Sequence, residues 1–256
     1  MEKFLHFAFA ALLLSGCTHR YYMPNSMQIP NLHKANDAVL NVGACNLKGW
    51  EAQGLYSPIK NGYILFNHMQ IPSNGVASGN GALTEFGVGG YYWNDEVWCL
   101  SISGGFGKGR VQNTYIVDSL TGTDFFSINW VYDTLQSSMR FRRWFVQPSL
   151  LFEHKWFFAG AALRFVWLNG NIRNVDPRLS QKLPKEDFAM QSIVTDSPLK
   201  FAEFGFSMGF KMRLLRLSYN LSKIGLDQNK VQRLHLLQKN QSIMLSLNIH
   251  ELWRKK

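Results

Sequence analysis

Residues 200–211 read "KFAEFGFSMGFK", and few folds can accept them. Taken with a period of two, one face carries Ala202, Phe204, Phe206, Met208 and Phe210. The other carries Phe201, Glu203, Gly205, Ser207, Gly209 and Lys211. Successive side chains of a β-strand point to opposite sides of the sheet. Such a strand separates two unlike environments, one wholly apolar and one polar.

The same split recurs along the chain. In 83–92, Phe86, Val88 and Tyr92 oppose Glu85, Gly87 and Gly89. In 97–107, Trp98, Leu100, Ile102 and Phe106 oppose Cys99, Ser101, Ser103 and Gly105. Segments 143–152, 156–168, 214–221 and 242–250 follow it too. Segments 38–45, 50–56 and 63–70 follow it more weakly. The count predicts an all-β fold: an antiparallel transmembrane β-barrel of about 10 strands, with 8 or 12 as the fallback, since bacterial barrels are even-stranded.

The connections agree. The intervals 57–62, 94–96, 154–155 and 211–213 are short, whereas 71–81, 113–137, 169–198 and 223–239 are long. Only 46–49 breaks the alternation. Membrane barrels have short turns on one side and long loops on the other. Within the long interval 223–239, Ile224, Leu226, Val231, Leu234, Leu236 and Leu237 suggest a short amphipathic helix over the rim.

Charge gives a third test. Lys, Arg, Asp and Glu avoid the central part of every apolar face, as they must where a basic residue facing lipid at mid-bilayer costs about 2–4 kcal/mol. The opposite faces collect Glu51, Glu85, Glu203, Arg143, Arg164 and Arg216. Three acids and three bases in a narrow interior predict an ion-pair network and a lumen packed shut. The mean hydropathy of −0.13 leaves no membrane helix after residue 16, while 19 Phe, 8 Trp and 9 Tyr suit a barrel surface.

The N-terminus has its own logic. Residues 4–14 are apolar apart from His6, too short for a membrane-spanning helix. They lead into Leu14-Ser15-Gly16-Cys17, which resembles the lipobox of bacterial lipoproteins. That resemblance implies a signal peptide over 1–16 and a diacylglycerol plus an N-acyl chain on Cys17. Its thiolate is the strong nucleophile such a transfer needs. Residues 17–36 carry two prolines without a period and are expected to form a lipidated tether. The barrel is expected over 37–250, with a basic tail over 251–256. Cys45 and Cys99 are expected to be free buried thiols.

No stretch carries a clear catalytic or cofactor signal, so neither an enzyme nor a cofactor or metal is expected. "SGGFGKGR" lacks the Ser or Thr after Gly-Lys, and the helix, of a phosphate-binding loop. Its alternate glycines suit a crowded barrel interior. The histidines form no close ligand pair. Interior serines such as Ser101, Ser103, Ser149, Ser207 and Ser218 read as lumen filler. The formal charge of +10 is not aimed at nucleic acid in an exported chain. Arg140 and Arg142 fall at the outer end of a strand, where phosphates of an outer-leaflet glycolipid would lie.

With these features in view, the chain resembles small outer-membrane β-barrel lipoproteins of Gram-negative bacteria, a group without an assigned activity. The resemblance rests on the lipobox, on "YYMPNSMQIPNLHKANDAVLNVG" and on "AQGLYSP", "EFGVGGYY", "GGFGKG" and "RWFVQPSLLF". It implies an outer-membrane location with the N-terminus on the periplasmic side, and the lipoprotein-sorting and barrel-insertion machinery as partners. It brings no catalytic residues. The ending "HELWRKK" departs from barrels that finish on an aromatic residue. The expected role is structural or interactive, through the outer loops. The rivals are a small-solute channel, a lipid-modifying barrel enzyme and a soluble periplasmic β-sandwich on a lipid anchor.

Overall fold

The structure is a computed structural model. It describes residues 22, 24–45, 49–72, 79–121, 129–173, 198–212, 214–225 and 239–249. The expected signal peptide, Cys17, the basic tail and most of the long interval 223–239 lie outside the described residues.

Ten antiparallel strands close into a barrel: β1 Ala38–Cys45, β2 Gly49–Ile59, β3 Gly62–Ile71, β4 Gly79–Asn94, β5 Trp98–Thr121, β6 Asn129–Glu153, β7 Phe157–Arg173, β8 Leu199–Lys211, β9 Leu215–Ile224 and β10 Lys239–Asn248. Each strand pairs with its neighbours in sequence, and β1 closes on β10 from Val39↔Asn248 to Cys45↔Ser242. Closure leaves no sheet edge, so backbone groups need no water where lipid surrounds the wall. The alternative of an open sandwich is thereby removed.

The two faces are those the alternation requires. Phe86, Val88, Ile102, Trp144, Phe204 and Phe210 lie exposed on the outside, Phe210 to 69%. Glu51, Glu85, Arg143, Arg164, Glu203 and Arg216 are all buried inside. Trp98, Trp156, Tyr92 and Phe157 ring the short-turn end. Trp144 and Trp167, directly paired across β6 and β7, stand towards the other end. Eight residues of β5 separate Trp98 from Phe106, the cross-strand partner of Trp144. At a strand tilt near 40° this spans about 20 Å, close to the apolar band of a membrane barrel.

The short turns are built tightly. Asp95 and Glu96 both take positive φ, 51° and 57°, between β4 and β5. That geometry follows the right-handed twist of a hairpin.

Two expectations need correction. Much of 113–137 was expected to be loop. Instead, β5 and β6 run on as one ladder to Thr121↔Asn129, reaching 24 and 25 residues. A strand of about 9–11 residues already crosses a bilayer, so the surplus projects beyond it as a hairpin. There, no lipid enforces apolar residues at alternate positions, and the period disappears from the sequence although the strands continue.

The second correction concerns the tether. Its described part, Tyr22 and residues 24–36, is no spacer below the barrel. It fills the lumen. Asn25, Ser26, Gln28 and Leu32 are buried as deeply as the wall residues around them. The wall makes room with glycine. A Cβ on Gly205 would stand 2.6 Å from Met27 Sδ, and one on Gly160 would stand 2.8 Å from Ile29 Cδ1. The physical reason is volume: short serines and glycines on the inward faces cannot fill a ten-strand barrel by themselves.

Candidate functional site

The lumen is where the polar chemistry of this chain is gathered. Its centre is a buried cluster of two acids and two bases. Glu85 on β4, Gly107 on β5 and Arg143 on β6 stand in one cross-strand row. A Cβ on Gly107 would lie 3.0 Å from Glu85 Cγ and 3.2 Å from Arg143 Cγ. Glycine at this position therefore lets the acid and the base meet across an intervening strand. Arg143 Nε donates to Glu85 Oε1 at 2.6 Å. On the far side, Arg164 and Glu203 face each other directly across β7 and β8. Arg143 lies 3.6 Å from Glu203, and Arg164 lies 3.7 Å from Glu85 and 3.6 Å from Glu203. Each charge thus faces two of opposite sign, an arrangement that offsets the cost of burying any one of them.

The N-terminal segment completes this cluster with uncharged groups. The Tyr22 hydroxyl donates to Glu203 Oε1 at 2.5 Å and accepts from Arg143. The Asn25 amide donates to Glu85, and its oxygen accepts from Arg143 and, at 2.6 Å, from Arg164. Gln147 bridges the next level down. Its oxygen accepts from Arg164 Nε at 2.9 Å, and its amide donates to the Gln28 carbonyl at 2.7 Å. Apolar rings cap the polar groups: Tyr22 meets Phe141 and Phe201 edge-on, and Arg164 lies 4.8 Å from the Phe145 ring centroid.

The six interior charges do not form the single network expected from sequence. Glu85, Arg143, Arg164 and Glu203 come together. Glu51 stands apart and accepts from the Ser26 amide at 2.9 Å and from Gln53 at 3.1 Å. No cation reaches it among the described residues. Arg216 sits at the short-turn end with Glu153, an acid the alternation missed because it ends β6. Arg216 NH1 donates to Glu153 Oε2 at 3.0 Å, and Lys211 pairs with the same carboxylate.

The lower part of the segment is clasped there as well. Asn31 faces the Arg216 guanidinium. Trp93 Nε1 donates to the Leu32 carbonyl at 2.6 Å, and the His33 ring stacks on Trp93 at 4.3 Å. The Asp37 carboxylate accepts from the His33 and Lys34 amides at 2.8 and 3.0 Å, which turns the chain back into β1. No sequence signal marked Tyr22, Asn25, Ser26 or Gln28 as lumen residues. The available hint was their chemistry: small uncharged amides and hydroxyls suit a lumen whose charges already balance.

A void of about 40 Å³ remains beside Gln28, Asn31, Asn41, Arg216 and Ser246. That is room for a water or so and not for a solute path. The broad apolar concavity between Tyr56, Phe66, Phe86 and Trp144 lies on the outer wall and faces lipid. Two glycines of "SGGFGKGR" line ring-filled notches. Gly105 and Gly109 stand directly opposite Phe145 and Phe141, whose rings cover them. Among the described residues, no group of three or more His, Cys, Asp or Glu is placed to hold a metal ion. Cys45 and Cys99 are both buried, and neither is in a disulfide.

Outside, just beyond Trp144 and Trp167, four cations face outward on β5 and β6. Lys108 stands opposite Arg142, and Arg110 opposite Arg140. All four are exposed, and none has an acidic partner among the described residues. Lys200, opposite Trp167, continues the row on β8. Like charges placed directly across a ladder are destabilising unless something anionic lies between them.

No family model matches the chain, and no curated protein matches its sequence. Among solved structures it is similar to the outer membrane protease OmpT of Escherichia coli, with a TM-score of 0.51, 8% identity, and coverage of 84% of this chain and 94% of that one. The N-terminal β-barrel domain of Pseudomonas aeruginosa OprF also matches, with a TM-score of 0.31, 9% identity, and coverage of 84% and 98%. At 8% identity the likeness to OmpT is one of fold: a closed ten-strand antiparallel barrel of the outer-membrane type.

Proposed function

We propose that this protein is an outer-membrane barrel sealed by its own N-terminal segment, acting as a membrane-embedded structural or interaction platform rather than as a pore or an enzyme. One observation carries the reading. Tyr22 and residues 24–32 occupy the lumen at every level from the central ion pairs to the short-turn end. Beside Gln28 and Arg216, among the described residues, the space left is a void of about 40 Å³.

The short-turn end is taken as periplasmic and the long-loop end as outer, following the usual orientation of such barrels. The β5–β6 hairpin then stands above the outer surface. The cations Lys108, Arg110, Arg140 and Arg142 fall at the level of outer-leaflet headgroups. A phosphorylated glycolipid is the partner class that suits them. Its phosphates would screen the Lys108–Arg142 and Arg110–Arg140 repulsions and accept charge-assisted hydrogen bonds. Cys17 is proposed to carry the diacylglycerol and N-acyl lipid implied by the lipobox. Lipoprotein-sorting and barrel-insertion machinery would deliver such a chain.

Conductance tests the reading against its channel rival. Full-length protein in planar bilayers is expected to be silent. A variant lacking residues 24–34 is expected to conduct. Steady conductance from the full-length protein would refute the sealed barrel.

A further inference from the structure

The direction in which the lumen segment runs has a consequence for the membrane side of the N-terminus. Asp37 and Asn36 lie beside Ser57, near the short-turn end of β2. His33 meets Trp93 and Glu153 at the same end. Asn31 faces Arg216, near the start of β9. Gln28 reaches Gln147, six residues further up β6 from Glu153. Asn25 lies among Glu85, Arg143 and Arg164. Tyr22 packs on Phe141 and on Phe201, the third residue of β8 from its long-loop end. Read backwards from β1, the chain climbs steadily towards the long loops.

We propose that the chain upstream of Tyr22 leaves the barrel over its long-loop rim, so that a lipid on Cys17 is seated in the outer leaflet and not in the periplasmic one. Five residues link Cys17 to Tyr22 and span at most about 17 Å when fully extended. Ten residues of β6 separate the Arg143 level from Glu153, about 25 Å along the barrel axis at a tilt near 40°. The periplasmic headgroups are therefore out of range. The way down is also occupied, because Asn25, Ser26, Gln28 and Leu32 fill the lumen below Tyr22. A lipid cannot cross the hydrogen-bonded wall, which is continuous around the barrel. The long-loop rim is the exit left to it. The side of exit stands on the lumen geometry, whereas the lipid on Cys17 rests on the lipobox reading.

Two measurements keep these apart. A short protease-cleavable insert between Thr18 and His19 is placed in the full-length protein, with cold-SDS mobility confirming that the barrel still forms. Cleavage by protease added to intact cells is the expected result. Cleavage only after the outer membrane is permeabilised, or in neither state, overturns the proposal. Metabolic labelling with a fatty acid, compared with Cys17→Ser, reports lipidation separately. Labelling that the substitution abolishes seats the lipid with the exposed N-terminus. If Cys17 takes up no lipid, the outer-leaflet anchor is overturned, while the protease result still decides the side of exit.

Discussion

Arg143→Met is the sharpest test of the central cluster. Arg143 is fully buried and bonds to Glu85, Tyr22 and Asn25, with Glu203 at 3.6 Å. Its loss leaves Glu85 and Glu203 facing Arg164 alone, at 3.7 and 3.6 Å. A buried acid is then in excess, and the Asn25 oxygen and Tyr22 hydroxyl each lose a donor. Removing one partner of a buried ion pair costs about 3–5 kcal/mol. The midpoint corresponds to roughly a thousandfold shift in the folding equilibrium. The assay is denaturant unfolding of the refolded barrel in lipid vesicles, followed by tryptophan emission, with cold-SDS mobility as an independent readout. Adding Glu85→Gln removes the surplus charge, and the double variant is expected to recover about 2 kcal/mol of the loss, a coupling ordinary for contacting residues. If Arg143→Met unfolds within about 1 kcal/mol of the parent, or if the double variant is weaker than the single one, the charge-balance reasoning is refuted.

The same logic separates Glu51 from Glu85. Glu51→Gln keeps an acceptor for the Ser26 amide and strands no cation, so a change below about 1 kcal/mol is expected in that unfolding assay. Glu85→Gln leaves two guanidiniums facing Glu203 alone, with a buried positive charge in excess, and is expected to cost about 3 kcal/mol or more. On the outside, Phe206→Arg at the middle of β8 places a cation in lipid and is expected to cost about 2–4 kcal/mol, measured as the shift in unfolding free energy in vesicles. Arg140→Glu with Arg142→Glu is expected to lower retention of a bisphosphorylated glycolipid at least tenfold in a detergent binding assay, and to leave an uncharged lipid unaffected. Equal retention would remove the glycolipid reading.

The wall was legible in sequence because two solvents wrote on it. Lipid demands apolar residues outside, the lumen tolerates polar ones inside, and the strand period sends alternate residues to each. Phe204, Phe206 and Met208 against Glu203, Gly205 and Ser207 state that rule within one segment. Beyond the bilayer only one solvent remains, which is why the ends of β5 and β6 read as loop. The interior charges were legible as a set, yet their partners were not. Pairing depends on register: Arg164 meets Glu203 because β7 and β8 align them, and Glu85 reaches Arg143 because Gly107 opens the row between. The lumen segment was hidden for a further reason. It makes no long ladder and so has no period, and its partners lie far away in sequence, as Asn25 with Arg164 shows.

The composition of that segment bears on what would happen without it. Tyr22, Asn25, Ser26, Gln28 and Asn31 are all uncharged, and the wall charges they touch oppose one another except for Glu51, which takes hydrogen bonds from Ser26 and Gln53 instead. Glu85 and Glu203 face Arg143 and Arg164, and Glu153 faces Arg216 and Lys211. Withdrawing the segment therefore uncovers polar groups and the lone Glu51 carboxylate without unbalancing the four charges at the centre. Water entering the emptied lumen would replace the lost hydrogen bonds at a net cost of about 1 kcal/mol each. The closed ladder, whose bonds lie in the wall, would persist. The variant lacking 24–34 is thus expected to insert and to keep its resistance to cold SDS, with a lower unfolding midpoint and a conducting lumen. Complete loss of the heat-sensitive mobility shift in that variant would show that the segment is required for closure itself. The balance of charges in the wall would then be the wrong account of what holds the barrel together.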